Sequence, residues 1–488
     1  MLERLFRLSE HGTTVRTELL AGLTTFLTMA YIIFVQPAVL SGAMFGSPTG
    51  MDFGAVTTAT CVSAALATLV MAFYGKYPIA LAPGMGENFF FVFSVLPAAA
   101  AAGSAEPWRV GLGVVFVSGV LFYLLYLVGI RERILDAISP SLKNGAAVGI
   151  GLFIAFIGLQ NAGLIVSAAS VAPGPPPTLV PGTLVKMNSR LFAPDMAVFL
   201  TGLLTMAALQ ARRVRGAILW GILAGAASAW ALRLALPVLA PAAWESESVR
   251  ASAVARLSLP PAGLPPWRWV CSWPPSPAPT FLKLDWRGAL TLPMLPFVFM
   301  FLFMDVFDTI GTLVGVGEQA GFIKDNRLPR ARQAMLADQT GTLIGALLGT
   351  STVTSYIESS AGVESGGRTG LTSVAVAVLF LLALFFSPLI AAVGQCPPIT
   401  APALVLVGAM MLRNVLKIEW QDTSEALPAF LILVGIPLSY SISDGLALGF
   451  VSYPFVKRLS GRGRECSGLM NVLAAVLILY FVFVRTRL

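Results

Sequence analysis

The chain has 488 residues, 56% of them hydrophobic and 11% charged, with a mean hydropathy of +0.81 and a net charge of +8. Soluble domains carry about 25% charged residues, so this composition excludes a soluble enzyme with a membrane tail and places nearly all of the chain in the lipid bilayer. At about 20 apolar residues per crossing, the length allows about 12 to 15 spans.

With 46 glycines and 33 prolines, the chain is not a bundle of uninterrupted helices. Its basic residues sit mostly in short loops between apolar runs, where they set orientation and do not recruit nucleic acid. Cys61, Cys271, Cys396 and Cys466 show no paired spacing, and the single histidine, His11, precedes the first apolar run. Neither a disulfide framework nor a thiolate or histidine metal site is indicated, no cofactor is expected, and Ser–His–Asp chemistry at membrane depth is removed. No cleavable signal peptide is recognisable, because the first apolar run lacks a small-residue cleavage site and further runs follow it.

In chain order the apolar runs fall at about 17–41, 54–75, 78–97, 109–130, 145–166, 194–211 and 215–240, then at about 289–317, 334–349, 351–367, 369–393, 398–412, 426–440 and 441–457. Between the two series, 241–288 is polar and proline-broken and holds Trp244, Trp267, Trp269, Trp273 and Trp286, residues that suit a membrane–water interface. Lysine and arginine counts alternate: Arg4, Arg7 and Arg16, then Lys76, then Arg131, Arg133 and Lys143, then Arg212, Arg213 and Arg215 fall on one side. The second series continues with Lys324, Arg327, Arg330 and Arg332, then Arg413 and Lys417, then Lys457, Arg458, Arg462 and Arg464. This pattern predicts fourteen crossings with a cytoplasmic N-terminus. Residues 468–484, ahead of Arg485 and Arg487, read either as a fifteenth crossing or as an interfacial helix.

Two halves of seven segments have opposite orientations, the arithmetic of an inverted repeat with its site at midplane between broken helices. The third segment of each half is interrupted: 77–88 by prolines and glycines, 349–359 by a Ser/Thr-rich run of poor helix propensity. Each is expected to be a short extended stretch followed by a half-helix, because irregular backbone at this depth survives only where protein buries it or it lines a cavity.

Asp195, Asp338 and Asp444 read as helix caps. Glu87, Asp305, Asp308 and Glu358 resist that reading. A charge at a span centre costs about 2.5–3.5 kcal/mol, and Asp305 and Asp308 share one helical face at i, i+3. Glu358 falls at the start of a half-helix, where open N–H groups stabilise a carboxylate. Asn88 holds the matching place in the first half and offers donor and acceptor together. With Phe89, Phe303 and Tyr356 to cover ring faces, such a site suits a flat, neutral, polar heterocycle. No lysine or arginine falls at midplane, which argues against a specialised anion site. Gly111, Gly149 and Gly158 read as close-packing positions.

At these residues the sequence resembles a known family. Residues 21–33 (AGLTTFLTMAYII), 82–86 (APGMG), 307–312 (FDTIGT), 354–359 (TSYIES) and 365–372 (SGGRTGLT) look like the nucleobase–cation symporter-2 (xanthine/uracil permease) superfamily, and more closely its hypoxanthine/guanine/adenine permease branch. The resemblance implies an all-α polytopic protein of uracil-permease-like fold, with fourteen segments in a 7+7 inverted repeat and short strands in segments 3 and 10. It divides the chain into core (1–144 and 289–394), gate (145–240 and 395–460), an extracytoplasmic linker (241–288) and a C-terminal segment (461–488). It implies import of a purine nucleobase by proton symport, an elevator-like core motion, homodimers through the gate, and a multi-pass place in the plasma membrane (the bacterial inner membrane).

By motif position, Asp308 and Glu358 match the family's acidic residues of segments 8 and 10, and Tyr356 the strand neighbour. Asp305, Gly86 and Asn88 match polar or backbone positions of the purine branch, and Ser359, Phe89 and Phe303 complete the expected substrate contacts. The coupling proton is assigned to the set Asp308, Glu358, Asp305 and Glu87. Glu87 departs from the branch pattern, which has an apolar residue there: it either alters the preferred base or proton stoichiometry, or faces away and pairs elsewhere. The competing readings are an anion carrier or channel of the same fold, an intramembrane enzyme, for which nucleophile and base are missing, and a non-transporting receptor.

Overall fold

A computed structural model describes residues 2–127, 138–167, 170–172, 178–180, 185–188, 193–257, 267–323 and 328–483. The chain is a mostly helical multi-pass membrane protein. Among the described residues, nine stretches are long and apolar enough to cross a bilayer, from Val15–Leu40 to Pro397–Lys417, and two shorter apolar helices cover Met85–Ala101 and Thr423–Ser439. Of the basic loop residues, Arg131, Arg133, Lys324, Arg327, Arg485 and Arg487 lie outside the described residues.

The first helices are α1 (Val15–Met29), α2 (Ile32–Leu40) and α3 (Phe53–Val70). Strand β1 (Leu81–Pro83) leads into α4 (Met85–Phe90), which continues through a π-helical turn at Phe91–Val95 into Leu96–Ala101. Helices α5 (Pro107–Leu127) and α6 (Pro140–Asn161) follow. Four short strands not expected from the sequence come next, pairing Ile165–Ser167 with Val185–Met187 and Ser170–Ala172 with Thr178–Val180. Then come α7 (Pro194–Ala211) and α8 (Ala217–Leu239).

After the linker the chain forms α9 (Leu295–Gln319), α10 (Ala331–Leu348), β2 (Val353–Ser355) and α11 (Ser359–Glu364). The last helices are α12 (Gly370–Ala383), α13 (Pro397–Met411), α14 (Thr423–Ser439), α15 (Ile442–Leu459) and α16 (Gly468–Phe483). Helix α16 has 16 residues and lies along α15, touching α9. At 1.5 Å per residue it measures about 24 Å, less than the hydrocarbon thickness of about 30 Å.

Two sets of helices pack closely. In one, α3 lies against α10 and α12, α1 against α12, and α5 against α9 and α10. In the other, α6 lies against α13 and α14, α7 against α8 and α13, and α14 against α15. Small residues permit the approach: a Cβ on Gly149 would come within 3.0 Å of the Ile432 carbonyl, and one on Gly158 within 3.0 Å of the Ala401 carbonyl.

Three supposed caps do other work. The α7 cap is Ala193, and the Asp195 carboxylate accepts from the amides of Ala253 (2.9 Å) and Val254 (3.0 Å), fastening a linker turn instead. Ser441 caps α15 by accepting from the amide of Asp444, which lies in the first turn. Asp338 is interior to α10, because that helix starts at Ala331, before the apolar run becomes visible. Linker residues run over the helix ends: the Thr58 hydroxyl donates to the Pro275 carbonyl (2.7 Å) and the Thr280 hydroxyl to that of Leu348 (2.9 Å). Trp273 and Trp286 are exposed there.

Candidate substrate site

In lipid every backbone polar group needs a partner inside the protein, and the two interrupted segments meet that demand jointly. Strands β1 and β2 pair antiparallel with Leu81 opposite Ser355, Ala82 opposite Thr354 and Pro83 opposite Val353. The pairing extends through Tyr356 N to Ala80 O and Gly84 N to Thr352 O, both 3.0 Å. The outward groups are met by side chains. Thr68 of α3 accepts from the Leu81 amide (2.9 Å) and donates to its carbonyl (3.1 Å). Thr342 of α10 does the same for Val353, at 3.3 and 3.1 Å. Pro83 occupies an outward position, where a missing N–H leaves no gap in the ladder, and its carbonyl accepts from the Tyr356 hydroxyl.

Asp338 completes this scaffold. One carboxylate oxygen accepts from the Ser355 amide (2.7 Å) and hydroxyl (2.8 Å), the other from Thr309 (2.7 Å). Sequence reasoning missed it, since nothing local shows that a helix interior at 338 meets a strand at 355. Glu18 was missed for the same reason. Fully buried in α1, it accepts from the amides of Arg368 (2.9 Å), Thr369 (3.3 Å) and Thr372 (3.1 Å) and from the Thr372 hydroxyl (2.6 Å), so motif 365–372 is the turn into α12, with its first helical residues, held by a distant carboxylate.

Asp308 is exposed on α9, and Glu358, at the N-cap of α11, is half-buried. The Tyr31 hydroxyl donates to Glu358 at 2.9 Å. Asp308 stands within electrostatic reach of Glu87, Asp305, Asp338 and Glu358. Glu87 is buried in the first turn of α4 and folds back over Gly84, where an added Cβ would meet its carboxylate at 2.2 Å. Asp305 is 3% exposed, one turn from Asp308 and behind it, accepting from Gln339 at 2.8 Å, with the Thr342 hydroxyl that serves Val353 a further 3.4 Å contact. Tyr356 is buried beside this group, and Ser359 accepts from the Ala80 amide at 3.0 Å.

Other expected contacts point elsewhere. Asn88 is fully buried and accepts from Ser351, which with Thr350 also takes the Gln36 amide (3.0 and 2.8 Å). Phe89 belongs to an aromatic cluster with Phe45, Phe93 and Phe153, at centroid distances of 6.2 to 6.4 Å. Tyr440 packs on Phe93 and Phe153 at 5.2 Å each. Phe303 is buried in α9. Gly86 faces α6, where a Cβ would come within 3.1 Å of Ile150.

The site is therefore open at one end and closed at the other. Along α9 beyond Asp308, an added Cβ on Gly311 would meet nothing within 4 Å. Toward the Leu295 end, Phe90 packs on Phe297 and Phe301 and the aromatic cluster joins the two helix sets. Among the described residues the one fully buried basic side chain is Lys457, which pairs with Glu425 and Glu465 (2.9 Å each) at the far end of α15. No group of three His, Cys, Asp or Glu suited to a metal occurs among the described residues. The opening thus offers acceptors and an exposed carboxylate, with no buried cation beside them among the described residues.

Comparison with known proteins fits this picture. A family model described as "Permease family" matches residues 16–448. The guanine/hypoxanthine permease PbuO of Bacillus subtilis is 40% identical over 478 residues, covering 98% of this chain and 99% of that protein. The adenine permease AdeP of Escherichia coli is 38% identical over 486 residues, covering 99% of this chain and 96% of that protein. In fold, the chain is similar to the transmembrane domain of the cyanobacterial bicarbonate transporter BicA, with a TM-score of 0.58 at 16% identity, covering 89% of this chain and 97% of that domain.

Proposed function

The chain belongs to the permease family, in the purine branch of the nucleobase–cation symporters, and from that premise we propose that it is a secondary active transporter importing adenine, guanine or hypoxanthine by proton symport. The observation that carries the reading is the pairing of exposed Asp308 with half-buried Glu358 at one opening that lacks a buried base. Carboxylates accept from the N–H groups of a neutral purine, and Tyr31 orients Glu358 for that task. Asp308 and Glu358 are the principal substrate contacts, Tyr356 shapes the pocket, and Asp308, Glu358, Asp305 and Glu87 form the set that exchanges the proton.

Fourteen crossings in a 7+7 inverted repeat are supported by Thr68 and Thr342, which hold β1 and β2 in the same way from the helices preceding each strand. The two helix sets act as core and gate, with the core carrying both strands past the gate. Gly86 against Ile150 and the aromatic cluster mark the sliding boundary. The open end faces the cytoplasm together with the N-terminus, and the transporter works in the plasma membrane as a homodimer.

Uptake of labelled adenine, guanine, hypoxanthine, xanthine and uracil into a permease-deficient host tests the reading, with Glu358→Gln and Asp308→Asn alongside. We expect purine uptake that each substitution reduces at least tenfold. Absence of purine uptake by the wild type, or near-normal uptake by both variants, overturns it. Transport of bicarbonate or another anion in its place would favour the anion-carrier alternative, which shares the fold but lacks a cation at this site.

A further inference from the structure

Asp305 and Asp338 are neighbouring buried carboxylates bridged by one amide, and their hydrogen bonds set them apart. Gln339 donates to Asp305 Oδ2 at 2.8 Å and to Asp338 Oδ2 at 3.4 Å. Asp338 has donors on both oxygens: the Ser355 amide and hydroxyl on Oδ1, and Thr309 and Gln339 on Oδ2. An ionised carboxylate is well served there. Asp305 is served on one side only. Gln339 and Thr342 both reach Oδ2, whereas Oδ1 is buried and meets no donor among the described residues. The partner amide is lopsided in the same sense, because Gln339 Oε1 is also buried without a donor.

Two orphan acceptors therefore flank an amide–carboxyl hydrogen bond that is already in place. A proton on Asp305 Oδ1 turns that atom into a donor, and Gln339 then offers the carbonyl of an acid–amide pair. We propose that Asp305 is the carboxylate that carries the coupling proton, with Gln339 as its positioning residue, while Asp338 stays ionised as part of the strand scaffold. The inference rests on the reading of the chain as a purine–proton symporter and names one member of the acidic set. The groups facing Asp305 are Asp308 on its own helix, Asp338 from α10 and Glu87 from α4. All are acidic, so none supplies a fixed positive charge in place of the proton. Access runs through Asp308, which lies three residues along α9 and is exposed. One proton passes from cavity water by way of Asp308 to Asp305, taking its charge from −1 to 0, and leaves by the reverse route when the core faces the other side. The neutral purine adds no charge, so the moving site carries one negative charge fewer when loaded.

The full-length protein reconstituted in liposomes tests this. With a purine taken up by the wild type, a gradient of one pH unit supports accumulation up to about tenfold for one proton per base, accompanied by acidification of the lumen. Asp305→Asn is expected to bring the accumulation ratio to about one and to abolish acidification, while labelled base still exchanges for unlabelled base. Asp305→Glu restores proton movement. Unchanged acidification by Asp305→Asn overturns the proposal, as does loss of exchange together with accumulation in a folded variant, which would make Asp305 a substrate ligand. A second measurement needs no variant: dicyclohexylcarbodiimide reacts with protonated carboxyls in apolar surroundings, so peptide mass spectrometry of the wild type at neutral pH should find the adduct on Asp305 and not on Asp338. Labelling of Asp338, or none on Asp305, overturns the assignment. If the wild type moves no purine, the functional reading fails by itself, and the adduct still reports where the proton sits.

Discussion

Replacing Thr68 by valine keeps the shape of a buried side chain and deletes one oxygen, which isolates the support of β1. That oxygen accepts from the Leu81 amide at 2.9 Å and donates to the Leu81 carbonyl at 3.1 Å, and both residues are fully buried. The strand pairing to β2 serves Ala80 and Gly84 on the other edge, so no second partner takes over at Leu81. Each buried backbone group left unpaired costs about 1–3 kcal/mol, and the two together about 2–6 kcal/mol. Against the few kcal/mol by which a native state is favoured, that loss is large. It falls on the strand that leads directly into Gly84 and the half-helix carrying Glu87. We expect Thr68→Val to lower the thermal midpoint of the detergent-solubilised protein and to cut purine uptake at least tenfold, whereas Thr68→Ser, which keeps the hydroxyl, stays near wild type. A Thr68→Val protein matching wild type in both measurements, or a serine variant as damaged as the valine one, would refute the reasoning.

Gly86→Ala puts a methyl 3.1 Å from Ile150 Cγ2, so uptake should slow and Ile150→Ala should restore it; no rescue in the double variant removes Gly86–Ile150 from the sliding boundary. Tyr31→Phe deletes the 2.9 Å bond to Glu358, and a hydrogen bond to a charged group is worth about 1.5–3 kcal/mol. KM for purine uptake should then rise about tenfold or more, and an unchanged KM would show that Glu358 needs no such orientation. At the start of α14, the Ser424 hydroxyl and amide, then Arg462, hold the Asp422 carboxyl down at about 2, from an ordinary 3.8. Because the folded value is depressed, the stabilisation is present above 3.8 and is lost as pH falls through about 2. Hydrogen exchange of the first α14 amides should accelerate across that window in the wild type, and Asp422→Asn should flatten the change; identical profiles would detach Asp422 from acid sensitivity.

What the sequence discloses follows from the range of each interaction. Apolar runs and basic loops are local signals, and the multi-pass character could be read from them directly. Glu358 at the start of α11 was legible too, because a Ser/Thr-rich interruption ahead of a carboxylate is a local pattern. Asp338 was not. Its partners lie 17 and 29 residues away, and the polar first turns of α10 hid the true start of the helix, so an interior carboxylate passed for a cap. Thr68 and Thr342 carried no signal either, since a helical threonine ordinarily bonds to its own preceding turn. Thr57 does so in the same helix as Thr68, donating to the Phe53 carbonyl at 2.8 Å. The short strands at 165–187 were missed because three-residue pairings among prolines leave no alternation long enough to register.

Low overall charge gives the remaining carboxylates their meaning, and the structure divides them by what each oxygen touches. Glu18 and Asp338 are saturated with donors and act as permanent scaffold for the start of α12 and strand β2. Asp308 and Glu358 retain access to the opening, where a ligand can complete their hydrogen bonds. Asp305 has neither full satisfaction nor access of its own. In a low-dielectric interior a carboxylate in that condition is costly while charged and far less so while neutral. On the proposed mechanism, in which the site moves across lipid, such a residue is useful, because its protonation and the arrival of substrate through Asp308 then favour the same loaded state. The division assigns different consequences to chemically identical substitutions: Asp338→Asn should fail in folding, Asp308→Asn in substrate affinity, and Asp305→Asn in coupling. Three separate phenotypes from three neighbouring aspartates, two buried and one exposed, are a stricter test of the mechanism than loss of transport in any one of them.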